Sequence, residues 1–133
     1  MPPRWQHARA MDPLTRDQFE ALVRDALTDL PDEFVARLEN VDVVAEQEPS
    51  QGQLRTAGVE EDSTLLGLYE GVPITARENY GFVLPDKITI FQRPIESMCG
   101  TPQDILEEVR ETVVHEVAHH FGIGDEALRE MGL

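Results

Sequence analysis

Residues 101–126 read TPQDILEEVRETVVHEVAHHFGIGDE, and the fold turns on how this stretch is read. Thr101 suits a helix N-cap, Pro102 the first helical position, and Asp104 the third, where a carboxylate also complements the helix dipole. Gly122 suits the stop, because glycine takes the left-handed conformation that a C-terminal reversal needs. The spacing predicts one long helix up to Gly122. At about 100° per residue, Leu106, Val109, Val113, Val114, Val117, Ala118 and Phe121 fall on one side and are expected to form its core face. His115 and His119 fall together on the polar side with Glu108, Glu111 and Thr112, their Cβ atoms about 5–6 Å apart on neighbouring turns.

Two imidazoles so placed can converge on one ion. A catalytic zinc takes three protein ligands and leaves a fourth position for water, so a third donor must come from elsewhere. Gly122 turns the chain back, and Asp125, three residues on, is the first choice; Glu126 on the same turn stays open as an alternative. Glu111 shares the stripe but lies about 12 Å along the axis from His119, too far for one ion. His7 is far off in the N-terminal segment. Glu116 sits about 100° round from His115 and points past the ion, where a general base for a metal-bound water belongs. His120 is expected to face the core as a hydrogen-bonded structural histidine. A five-residue motif recurs by chance, but three of the chain's four histidines fall within six residues, in register with a glutamate and a helix-stopping glycine.

The rest of the chain supplies a small scaffold. Residues 1–14 carry three prolines without periodicity and are expected to be a mobile arm, leaving 15–133 as a single domain. TRDQFEALVRDALTDL opens with a capping-box pattern, Thr15 and Gln18, and keeps Phe19, Leu22, Val23, Ala26, Leu27 and Leu30 on one helical face. PDEFVARLEN suits a short helical piece and VDVVAEQEP a strand. Residues 50–63 are polar and unpatterned and are expected to be a flexible loop. TLLGLYEGVP reads as a strand running into a turn, and the stretch around Tyr80 as a loop. KITIFQRPI reads as the clearest strand, with Ile88, Ile90 and Gln92 on one face and Pro94 ending its ladder. Helix, strand, loop, two strands and a long helix make an α+β domain.

Composition narrows the partners. The chain has 133 residues, room for one compact domain. Acidic residues outnumber basic ones 26 to 11, and a net charge of −15 repels phosphate backbones and anionic membrane surfaces, so neither nucleic acid nor membrane is an expected partner. The single Cys99 cannot form an internal disulfide, and no run approaches the roughly 18 apolar residues of a membrane span. With no signal-peptide pattern behind the N-terminal arginines, a cytoplasmic protein is expected.

VRETVVHEVAHHFGIGDE, together with LGLYEGVP and DKITIFQRPI, resembles the minimal zincins, small bacterial zinc-metallopeptidase-like domains. The resemblance covers about residues 15–133. It implies a compact zincin-like core, with the motif helix packed on a small mixed sheet. It also implies one zinc ion held by His115, His119 and Asp125, with Glu116 as base. Aspartate stands where the larger metzincins have histidine, which adds a negative charge to the site. Met131 is expected to be an ordinary core methionine rather than a methionine turn under the metal.

The expected reaction is peptide hydrolysis by a metal-activated water, on a peptide or protein substrate. KITIFQ is the candidate edge strand for pairing with that substrate. Tyr69, Tyr80 and Arg77 are candidate donors to the developing oxyanion. The alternative is a metal-stabilised, catalytically inactive module that binds a peptide or protein partner.

Overall fold

A computed structural model describes residues 12–58, 64–71 and 84–133. Helix α1 (Arg16–Thr28) starts where the capping box predicts, with Thr15 and Gln18 exchanging both bonds, and it buries Phe19, Val23 and Ala26. A short α2 (Asp32–Val35) and a 3-10 turn (Ala36–Leu38) follow and bury Phe34. Then come β1 (Val41–Glu46), α3 (Gln51–Ala57), β2 (Gly67–Glu70), β3 (Asp86–Phe91), α4 (Gln92–Ser97), α5 (Pro102–Phe121) and α6 (Asp125–Glu130). The strand order is β1-β3-β2, with β1 parallel and β2 antiparallel to β3. This is the small mixed sheet of an α+β fold, as expected. No described helix is long and apolar enough to cross a membrane.

The sheet corrects one expectation directly. β3 is not an edge but the central strand, hydrogen-bonded on both sides. Its residues Ile88, Thr89, Ile90 and Phe91 are all buried, as a strand covered on both faces requires. Among the described residues, the edge strand next to α5 is β2. The strand also ends at Phe91 rather than running on to Pro94, because Gln92–Ser97 is helical. Pro94 stands in the first turn of α4, where a missing N–H costs nothing. Gln92 turns back, its Nε2 donating to the Leu14 carbonyl (2.8 Å) and to Glu96 (2.9 Å). The Leu14 N–H donates to Glu96 in turn (3.2 Å), so the base of the expected arm is pinned to α4. Residues 1–11, with His7, lie outside the described residues.

The expected loop at 50–63 is also corrected. Residues 51–57 form α3, set by a capping box between Ser50 and Gln53 and closed by Gly58 in the left-handed region at φ +70°. Residues 59–63 lie outside the described residues.

α1 and α5 pack against each other and against one face of the sheet. The core joins Phe19, Phe34, Ile88, Ile90 and Ile95 to Ile105, Val109, Val113 and Val117 of α5. The buried side of α5 is rotated from the expected one: Ile105 and Thr112 are buried, Leu106 and Val114 only partly, and Phe121 is 42% exposed. The cause is β2. A side chain at Gly67 would bring its Cβ to 2.5 Å from Thr112 Cγ2 and 3.2 Å from the Thr89 carbonyl, so helix and strand are in direct backbone-to-side-chain contact there. Met131 packs on the core, as expected.

Two outcomes follow from this packing. Gly67→Ala is expected to destabilise the fold by about 1–3 kcal/mol through overpacking, measured as a lower denaturation midpoint. Adding Thr112→Ser removes the Cγ2 it strikes and is expected to recover part of the loss. Burial, with the charges of Glu108, Asp104, Glu107 and Glu96, pushes the Cys99 thiol up to about 11. At pH 8 its alkylation is therefore expected to run roughly 100-fold slower than that of an ordinary thiol, until the protein is unfolded.

Candidate metal centre

The geometry of α5 positions the site. Thr101 caps it by accepting from the Asp104 N–H (3.1 Å), Pro102 enters at the first turn, and Gly122 ends it at φ +66°. Between these caps the helix is unbroken, so His115 and His119 stand on consecutive turns of one exposed stripe. After Gly122 the chain reverses through Ile123 and Gly124 into α6, whose first residue is Asp125.

His115, Glu116, His119 and Asp125 all line one cavity of about 1030 Å³. Glu126, one residue beyond Asp125, does not line it, whereas Glu111 does. Among the described residues, no set of three His, Cys, Asp or Glu side chains is drawn close enough to hold an ion. The structure thus gathers the four motif residues around one space without closing three of them on a point. The donors nonetheless suit zinc, with two imidazole nitrogens and a carboxylate oxygen facing the same cavity. No hydrogen bond or ion pair among the described residues engages their side chains, so none is consumed by a structural role.

Glu116 differs from its neighbours. His115 and His119 are exposed, while Glu116 is half-buried and lies one turn on from Thr112, the residue in contact with β2. Burial raises its carboxyl above the ordinary glutamate range, and the positive charges of His115 and His119 oppose that rise in part. A carboxylate held in this way is a better proton acceptor than one in open solvent. Further along the wall, Glu108 is also raised, by burial and then by the charge of Glu111. The acidic side of the cavity is made by Glu107, Glu108 and Glu111, and its apolar side by Leu65, Leu66, Val114, Ile123, Leu128 and Leu133.

His120 departs from expectation. It is exposed rather than in the core, and its ring stacks on Tyr69 with centroids 3.8 Å apart and planes at 17°. Tyr69 does not line the cavity; its hydroxyl donates to Asp86 Oδ2 at 2.6 Å. Tyr80 and Arg77 lie outside the described residues. The cavity instead uses the edge formed by Leu65, Leu66 and Gly67, which is not among the candidate residues of the sequence. A glycine inside the apolar run LLGLY is the available signal, since glycine in a strand marks a close approach.

None of the curated proteins matches the chain. Among solved structures, a conserved hypothetical protein from Thermus thermophilus is similar, at 26% identity and a TM-score of 0.52, over 81% of this chain and 94% of that one. The sequence profile of the zincin-like metallopeptidases matches residues 38–133. That span takes in every strand of the sheet, the motif helix and the reversal that follows it, and the chain belongs to the zincin-like metallopeptidase family.

Proposed function

We propose that the protein is a zinc-dependent peptidase acting on extended peptide segments. The observation that supports this best is the shared cavity, in which a half-buried Glu116 stands beside two exposed imidazoles and Asp125. His115, His119 and Asp125 are the residues that would hold the ion. Bound there, zinc would supply Lewis acidity to a substrate carbonyl and to a water. Glu116 takes a proton from the attacking water on a carboxylate oxygen and later passes it to the leaving amine nitrogen. Its partial burial favours the first of these steps by raising its proton affinity.

The edge strand suits a peptide. Phe91 N–H donates to the Leu66 carbonyl (2.9 Å), so in this antiparallel pair Leu66 faces β3 and Gly67 turns its N–H and C=O away from it. That outer edge borders the cavity, and an extended backbone can pair with it. The acidic wall favours peptides with lysine or arginine near the bond cleaved, because Glu107, Glu108 and Glu111 face the same space.

Three measurements test this reading. Elemental analysis of dialysed protein is expected to find about one zinc per chain, and no uptake on titration would contradict it. Asp125→Ala is expected to weaken zinc binding by about 10- to 100-fold, and Glu126→Ala far less; equal losses would move the third ligand away from Asp125. Glu116→Gln is expected to retain zinc and fold but lose peptide cleavage by about 10² to 10⁴, read by mass on a mixed peptide library. Cuts that persist in Glu116→Gln would remove its role as base, and peptide binding without cuts by the wild type would favour the inactive module.

A further inference from the structure

Thr112, Glu116 and His120 follow one another at intervals of four residues, about 6 Å apart along α5, and this row faces β2. At one end Thr112 lies against Gly67. At the other, His120 lies flat on Tyr69, two residues further along the same strand. Glu116 is the residue between these two contacts. Tyr69 is itself fixed to the middle of the sheet, because its hydroxyl bonds Asp86, the first residue of β3. Phe121 closes the cluster edge-on, 4.9 Å from the His120 ring and 6.1 Å from the Tyr69 ring. The chain leaving β2 passes close by, since a Cβ at Gly71 would lie 3.7 Å from both His120 Cε1 and Asp86 Oδ1.

Among the described residues, the hydrogen bonds at the last turn of α5 are local, with the N–H groups of Gly122 and Ile123 donating to the Ala118 carbonyl. Beyond Ala118 the helix has left the core, and His119, His120, Phe121 and Gly122 are all exposed. A helix end with few tertiary contacts frays. Yet this turn bears His119 and follows directly on Glu116. The stack is a flat contact of ring on ring, so it limits rotation of the helix end about its axis, the motion that would swing both side chains out of register.

We propose that His120 is a positioning residue. Stacked on Tyr69 and tethered through Asp86 to the central strand, it fixes the last turn of α5 and thereby sets the direction of His119 and Glu116. This rests on the metal site proposed above, and His120 acts without ligating the ion. The ring, not its nitrogens, does the positioning.

The test compares His120→Ala, His120→Phe, Tyr69→Leu and the double variant His120→Ala/Tyr69→Leu. Zinc affinity is measured by competition with a chromophoric chelator, at a temperature where circular dichroism shows every variant folded. His120→Ala and Tyr69→Leu are each expected to weaken zinc binding about 10-fold or more, the usual cost of losing a group that orients a ligand. The double variant is expected to be no worse than either single one, because both remove the same contact. His120→Phe keeps a flat ring and is expected to bind within about twofold of wild type. In the zinc-free protein, amide exchange over residues 118–121 is expected to quicken in His120→Ala and to return to wild-type rates in His120→Phe. If His120→Ala binds zinc as tightly as wild type, or His120→Phe binds as poorly as His120→Ala, the positioning role is overturned while the metal site stands. If wild type itself takes up no zinc, the metal site falls and the positioning role with it. Should His120→Ala fail to fold, Tyr69→Leu and His120→Phe decide the matter alone.

Discussion

The approach of α5 to the edge strand at Gly67 is the constraint from which the site's geometry follows. With only a hydrogen where other residues carry a side chain, Gly67 lets Thr112 come into contact with the strand backbone. That contact sets the rotation of a long helix about its own axis. Once Thr112 faces β2, residues four and eight positions later face the same way, and the imidazoles of His115 and His119 are turned to the cavity alongside. A small displacement at Gly67 is therefore felt two turns away.

The helix serves three surroundings at once. Ile105, Val109, Val113 and Val117 join α1 and the sheet in the core. Thr112 and His120 meet β2, and Glu116, on the row between them, lines the cavity with His115, His119, Val114 and Ala118. Electrostatics differ along this surface in a way that suits chemistry. Glu116 is the member of the motif whose proton affinity burial raises, while the imidazoles stay open to the cavity and pull the other way. The acidic surroundings extend along Glu108 and Glu111, where burial and like charge act in the same direction on Glu108.

Much of this is legible in the chain, and the failures have physical causes. The caps of α5 at Thr101 and Gly122 are readable because local hydrogen bonding and backbone freedom act within a few residues. The capping box of α1 is legible for the same reason, and that of α3 equally so, but α3 has no apolar periodicity and its sequence reads as a loop. Hydrophobic periodicity misplaces the core face of α5 because an apolar residue lining a cavity looks the same in sequence as one in the core. Val114 and Ala118 are such cases. It also puts His120 in the core by angle alone, when the core ends a turn earlier. The central place of β3 depends on pairings across many intervening residues, which no local pattern records, although four consecutive buried side chains hint at it.

The most direct test of the metal centre is X-ray absorption at the zinc edge of the loaded protein. The expected result is a shell of nitrogen and oxygen only, at about 2.0–2.2 Å, with the outer-shell scattering of two imidazoles and no sulfur. It should lose one imidazole in His119→Ala. A sulfur neighbour at about 2.3 Å, or a shell without imidazole scattering, would contradict a centre built on His115 and His119.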